Sequence, residues 1–317
     1  MKKIVVLGGG TGLSVLLRGL KQFPLDITAI VSVADDGSSS GKLREEFDIF
    51  AVGDIRNVLV SLSEVEPLIE ELLQYRFTTD SNLNNHPVGN LLLAALYNIT
   101  GNLTESLTSL SKIFNIKGRI LPFTEDNPIL IAHTKDGSII EGESKITKAG
   151  QEIDYIEYKN KVTPTKEVLN ALKEADLIIL GIGSLYTSII PNLLSEEVKE
   201  VLKTSKAKKM YVCNIMSEHG ETDNYKVSDC IKKINSYVKE DLMDVVVVNN
   251  KKVPDDIKER YLGEIAGQID IDYDVLNDMN VEIIEDELLY ISEKKKVRHD
   301  PYRTALAIFN YIVKELK

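Results

Sequence analysis

Cys213 and Cys230 are the only cysteines in a chain of 317 residues, too few for a disulfide framework, and they read as reduced thiols. No apolar run approaches the roughly 20 residues of a membrane helix, which argues against insertion into a bilayer. The start, Met1-Lys2-Lys3 followed by Ile4, Val5, Val6 and Leu7, imitates a charged leader, but so short an apolar run is no signal-peptide core. The expected location is the cytoplasm. Positive charge is scarce as well: 38 Lys and Arg against 49 Asp and Glu leave a net charge of −11. With no basic stretch interleaved with aromatics, nucleic acid is not an expected partner. Only four histidines occur, none in a His-Glu-x-x-His element, and no Gly-x-Ser-x-Gly elbow is present. Zinc hydrolase and serine esterase chemistries are thereby set aside.

What remains is an alternation of short apolar runs with amphipathic stretches. Residues 4–7, 27–33, 177–181, 210–213 and 245–248 are apolar and mostly rich in β-branched residues, as strands of a parallel sheet buried on both faces should be. Between them, 168–174, 198–203 and 229–238 carry the helical spacing of crossover connections. The fold class expected is α/β: a Rossmann-like, doubly wound, mostly parallel sheet in one domain over residues 1–317. Two stretches interrupt it. Residues 58–114 show helical spacing punctuated by Pro67, Pro87, Gly89 and Gly101, predicting a helical insertion. Residues 129–158 turn to strand alternation, with Asp136-Gly137 as a hairpin turn, predicting a small antiparallel unit. The charge run Glu293-Lys294-Lys295-Lys296 reads as a solvated turn.

The candidate chemistry lies at strand ends. The first strand runs into Gly8-Gly9-Gly10-Thr11-Gly12-Leu13-Ser14, with a helix expected over 15–21. Glycines there let a phosphate approach main-chain N–H groups at the positive end of a helix. The dinucleotide fingerprint fails, because Leu13 stands where it needs glycine. After the second strand come Asp35-Asp36-Gly37-Ser38-Ser39-Ser40-Gly41-Lys42-Leu43, a polar loop whose carboxylates suit a ribose or a Mg²⁺ beside phosphates. It is one residue too short for a P-loop, and Leu43 replaces the metal-binding hydroxyl. Gly53-Asp54-Ile55-Arg56-Asn57 opens the helical insertion, where Asp54 serves equally well as helix N-cap or as ligand contact. His86-Pro87-Val88-Gly89-Asn90 precedes a further apolar helix. A second glycine and hydroxyl turn, Gly181-Ile182-Gly183-Ser184-Leu185-Tyr186-Thr187-Ser188, again suits phosphate oxygens. Two such turns in one parallel sheet imply one crevice at a topological switch point.

These segments, in this order, resemble the YvcK/CofD-like family on its gluconeogenesis-factor branch. The carriers are GGGTGLS from Gly8, VSVADDGSSSGKLR from Val31, GDIRNVLVSLS from Gly53, NHPVGNLLLAAL from Asn85 and LPFTEDNPILIAHTKDGSIIEGES from Leu121. LGIGSLYTSIIPNLL from Leu180, SKAKKMYVCNIMSEHGETDNY from Ser205 and VRHD from Val297 extend the likeness over nearly the whole chain. The resemblance implies UDP-sugar binding, and a role in cell shape and envelope growth on gluconeogenic carbon sources. On its CofD branch it implies instead Mg²⁺-dependent transfer of a phospholactyl group from a guanylylated donor to a deazaflavin precursor. This chain departs from the family at Ile182, usually proline, and at Ser217, Glu218 and His219, which precede Gly220. Pro301 leaves no hydroxyl for phosphorylation after Asp300.

The expected site follows. Gly9, Gly10, Thr11 and Gly12 with Gly183, Ser184, Tyr186, Thr187 and Ser188 would take the pyrophosphate of UDP-N-acetylglucosamine. Asp35 and Asp36, beside Ser38 and Ser39, would meet ribose or Mg²⁺, while binding itself would require no cofactor. Asp54, Asn57, His86 and Asn90 would close the insertion side, and Asn214 and Thr222 the facing strand end. Tyr261 and Arg298 would stack on the base and pair with charge. A protein partner in envelope synthesis and self-association are compatible with this reading. The alternative is a CofD-like transferase in which the two aspartates hold Mg²⁺ against a donor's pyrophosphate. A NAD-dependent dehydrogenase fits least, since no proton-transfer pair accompanies the inexact fingerprint.

Overall fold

The computed structural model describes residues 1–47, 49–64, 67–263 and 265–316, except for the side chains of Ser38, Glu45, Glu46 and Phe47. Its centre is a seven-stranded sheet built from β1 (Lys2–Gly8), β2 (Leu25–Val31), β3 (Arg119–Pro122), β7 (Leu177–Leu180), β8 (Lys208–Val212), β9 (Val245–Asn249) and β10 (Glu282–Asp286). The spatial order is β10-β9-β8-β7-β1-β2-β3, and every neighbouring pair is parallel. The chain thus moves outward from β1 to β3 on one side, then returns to lay β7 against the other side of β1. Between β1 and β7 the strand order reverses, and a crevice opens at their carboxyl ends.

Why the sheet is covered on both faces is visible in β1. Ile4 and Val6 belong to one core with Leu13, Leu16, Leu17 and Leu20 of helix α1 (Gly10–Leu20). Val5 and Leu7 point the other way, into a second core that holds residues of the crossover helices. These include Val168 and Leu172 of α8 (Lys166–Glu174), Val198 and Leu202 of α9 (Glu196–Thr204), and Ile231 and Ile234 of α10 (Val227–Val238).

The helical insertion extends beyond its expected limits. It contains α2 (Ser38–Phe47), α3 (Val52–Leu62), α4 (Pro67–Gln74), α5 (Val88–Thr100) and α6 (Leu103–Ile113). The expected polar loop after Asp36 is therefore a loop only as far as Gly37; the three serines that suggested it begin α2. The antiparallel unit is a three-stranded sheet, β5-β4-β6, of β4 (Leu130–Thr134), β5 (Ile139–Glu141) and β6 (Ile153–Tyr158), with α7 (Glu143–Ala149) between its last two strands. Three further helices, α11 (Asp255–Leu262), α12 (Tyr273–Asp278) and α13 (Pro301–Glu315), complete the chain. A hairpin of β11 (Leu289–Ile291) and β12 (Val297–His299) precedes the last of them, its turn formed by the charge run. Among the described residues no helix is long and apolar enough to cross a membrane.

Candidate nucleotide-binding cleft

Both glycine turns sit where the strand order reverses, and their glycines are what let them touch. A Cβ on Gly12 would lie 2.5 Å from the Ile182 carbonyl oxygen. One on Gly183 would lie 2.9 Å from Ser188 Cβ, and one on Gly9 2.9 Å from Asp54 Oδ2. Gly10 has φ +66°, in the left-handed region that other residues enter only with strain. It starts α1 without an intervening residue, so the N–H groups of the first turn, which have no partner within a helix, open beside the strand ends. The N–H of Gly10 is taken by Asp54 Oδ2 at 2.6 Å. The helix N-cap position of α3 is Ala51, not Asp54, so that carboxylate reaches across to another loop instead of capping its own helix.

Around these turns lies a cavity of about 520 Å³. Of the expected residues, Gly9, Gly10, Thr11, Gly12, Gly183, Ser184, Ser188, Asn214, Tyr261 and Arg298 line it. Asn214 Nδ2 donates to the Gly183 carbonyl at 3.0 Å, tying the end of β8 to the β7 turn. Tyr261 accepts the Val297 N–H on its hydroxyl at 2.8 Å. Arg298 is exposed, and its Nη1 donates to the Val297 carbonyl at 2.9 Å.

The remaining expected residues are placed elsewhere. Tyr186 and Thr187 are buried in the wide helical turn after β7, where the Tyr186 N–H (2.9 Å) and the Thr187 hydroxyl (3.1 Å) both donate to Glu221. Their hydroxyls serve the wall, not the cavity. Thr222 is buried as well, accepting the Glu218 N–H at 2.9 Å. Ser39, His86 and Asn90 form a buried knot between α2 and α5: Ser39 Oγ meets His86 Nδ1 at 2.9 Å and accepts from Asn90 Nδ2 at 3.1 Å. Asn57 accepts from Arg56 Nη2 at 2.7 Å. The side chain of Ser38 lies outside the described residues.

Asp35 and Asp36 diverge. Asp35 Oδ1 accepts the Gly37 N–H at 2.8 Å, whereas Asp36 Oδ1 accepts the Ser144 N–H of α7 at 2.8 Å and its Oδ2 lies against Gly142. Among the described residues no group of three or more His, Cys, Asp or Glu is arranged to hold a metal. Each carboxylate has one oxygen without a hydrogen bond among the described residues, which would suit a Mg²⁺ carried in by phosphates, not a cage built by the protein alone.

Sequence reasoning overlooked an acidic wall. Glu143, Glu218 and Glu221 all line the cavity. Burial, with Asp35, Asp54 and Asp36 nearby, pushes the Glu143 carboxyl up to about 8. Burial also pushes Glu221 up to about 8, with Glu218 adding to it. Glu218 itself is raised by burial, against a Ser184 hydrogen bond and the Arg298 charge. Asp54 rises to about 6, through burial and the neighbouring Asp35 charge, against its bond from Gly10. His299, also missed, lines the same cavity and is buried. The segments carrying Glu218 and His299 stood out in the sequence; nothing local said that these side chains turn inward.

A seven-stranded parallel sheet with helices on both faces and two glycine turns meeting at its switch point defines a Rossmann-like α/β protein. The family model described as "2-phospho-L-lactate transferase CofD" matches residues 4–289, and the chain belongs to that family. Its relatives narrow the placement. The "Gluconeogenesis factor" of Bacillus subtilis (strain 168) is 46% identical over 304 residues, covering 96% of each chain. That of Halalkalibacterium halodurans is 45% identical over 308 residues, covering 97% of this chain and 95% of its own. A crystal structure of a Bacillus halodurans protein superposes with a TM-score of 0.93 at 45% identity, covering 97% of this chain and 99% of the other.

Proposed function

We propose that the cleft binds a UDP-sugar, UDP-N-acetylglucosamine above others, and that the protein is a cytoplasmic regulator. It would report the ligand to a partner in envelope synthesis and thereby support cell shape and growth on gluconeogenic carbon sources. The observation that carries this reading is the meeting of two glycine turns, from β1 and β7, on one cavity. Main-chain N–H groups at the start of α1 suit pyrophosphate oxygens. The volume is within the range of small-molecule sites, and the apolar side of the cavity suits a base. The gluconeogenic part rests on the relatives' name.

In this arrangement Gly9 to Gly12, Gly183 and Ser184 hold the pyrophosphate, Arg298 pairs with its charge and Tyr261 packs on the base. Heating with increasing UDP-N-acetylglucosamine tests it. A ligand that binds only the folded state adds about 2.7 kcal/mol at one hundred times its dissociation constant, so the melting temperature should climb with dose. No response to any UDP-sugar, beside a clear response to NAD, would defeat the reading.

One observation favours a second reading, a transferase: Asp35, Asp54 and Glu143 act electrostatically on one another beside Gly10, and the matched family model carries a transferase's description. An acceptor would then enter from the insertion side, with Mg²⁺ brought by the donor. Prolonged incubation of UDP-sugar with protein and Mg²⁺ separates the two, because a binder leaves the ligand intact and a transferase consumes it once supplied with an acceptor.

A further inference from the structure

His299 has hydrogen-bonding roles that the fold dictates. The residue is 5% exposed, and Nε2 lies 3.1 Å from the carbonyl oxygen of Cys213, just beyond β8. A carbonyl oxygen only accepts, so the proton must be on Nε2. Burial holds the ring neutral, pushing its pKa down to about 4. Nδ1 is then obliged to be an acceptor. No hydrogen-bonding partner meets Nδ1 among the described residues, although the residue lines the cleft.

Nδ1 keeps solvent contact on the cleft side, so it is an acceptor open to an incoming group that can donate to it. The surroundings say what kind of group that is. Val297 shares a strand face with His299 and packs in one apolar cluster with Ile215 and Tyr261, and all three line the cleft. These residues give this side of the cleft an apolar surface that the glycine turns lack, and offer a planar ring apolar contact beside the His299 acceptor. Uracil presents a donor, N3–H, between two carbonyls. Cytosine presents a lone pair at the same ring position, which would face the lone pair of Nδ1.

We propose that His299 is a specificity-determining residue of the cleft, its Nδ1 accepting a hydrogen bond from the N3–H of a uracil. This rests on the UDP-sugar reading above. Sites built to hydrogen-bond a ligand's donor reject analogues that lack it far more strongly than apolar pockets do.

Calorimetric titration of the full chain with UDP, CDP and N3-methyl-UDP tests the assignment, using wild type and His299→Phe. Wild type should prefer UDP over both others by about tenfold or more, and the Phe variant should hold the three within about threefold of one another. Spectra of the ¹⁵N-labelled histidine ring give a readout independent of the variant's folding. The Nδ1 resonance should move on adding UDP and stay unmoved with N3-methyl-UDP at matched saturation. Equal affinity of wild type for UDP and N3-methyl-UDP, a preference that survives in His299→Phe, or an Nδ1 resonance indifferent to UDP would overturn the inference alone. Failure of wild type to bind UDP or a UDP-sugar at all would overturn the uridine reading and this inference with it.

Discussion

Asp54 is open to two roles that sequence alone does not separate, helix cap or contact to another loop, and the fold takes the second. Its position at the start of α3 made it a plausible cap, but capping is a local bond, and the bond it forms, to Gly10, spans 44 residues. No spacing rule reaches that far. The burial of Asp54 beside Asp35, which outweighs the bond from Gly10, sets up a measurable liability. Its folded-state pKa is raised to about 6 from the ordinary 3.8 of an aspartate, so between these values the native state holds a proton that the unfolded chain has released. Stability therefore falls as pH rises from about 4 to about 6 and stays lowered above that. A shift of this size corresponds to about 1 to 3 kcal/mol after allowing for partial exposure. Asp54→Asn keeps an oxygen for the Gly10 N–H and removes the charge. Chemical denaturation should find the variant more stable than wild type at pH 7, by roughly that amount, with the gap closing near pH 4. A variant less stable than wild type at both pH values would show that the ionised carboxylate is an asset of the fold.

At the scale of elements, the legible parts were those whose burial pattern is strong. β7 and β9 are buried throughout, and β1 and β8 from their third residue on; their apolar runs announced them. β3 and β10 carry weaker signals: β3 is Arg119-Ile120-Leu121-Pro122, with a charge and a proline at its ends, and β10 has only Ile283 and Ile284 between carboxylates at a half-exposed edge. α2 escaped because three serines and a glycine are weak helix formers, so tertiary packing, not propensity, holds it. Helix packing also explains a glycine that belongs to no motif. Gly19 of α1 faces α13, and a Cβ there would collide with the Pro301 carbonyl and lie 2.7 Å from Ala305 Cβ. Ala would add about 1 kcal/mol of helix propensity, yet overpacking against backbone that cannot swing aside costs about 1 to 3 kcal/mol or more. We expect Gly19→Ala to lower the urea midpoint by a net loss of about 2 kcal/mol, with an unchanged slope. A midpoint equal to wild type would mean that α13 shifts freely over α1.

For the molecule as a whole, the sequence disclosed where the crevice lies but not its electrostatic character. The glycine turns were readable because backbone geometry demands them. The acidic wall was not, because Glu143 arrives on α7, Glu221 after β8 and Asp54 on α3, from three separate parts of the chain. A pyrophosphate dianion bound in this cleft, as proposed above, would have a thermodynamic consequence at that wall. Glu143 and Glu221, both pushed up to about 8, are largely protonated at pH 7, and a dianion beside them would favour those protons further. Binding must then take up protons near pH 8, and affinity must fall as pH rises through that range. A further rise of about one unit on one carboxyl would make binding roughly fivefold tighter at pH 7 than at pH 9. The pyrophosphate diester of a UDP-sugar stays dianionic over this range, so the protons can come only to the protein. Titration of UDP-N-acetylglucosamine at pH 8 in buffers of different ionisation enthalpy measures the uptake directly. Glu143→Gln should reduce it and flatten the pH dependence while leaving binding at pH 7 near the wild-type value. Heats that do not vary with the buffer would place the phosphates away from the acidic wall, and with them the orientation of the ligand along the cleft.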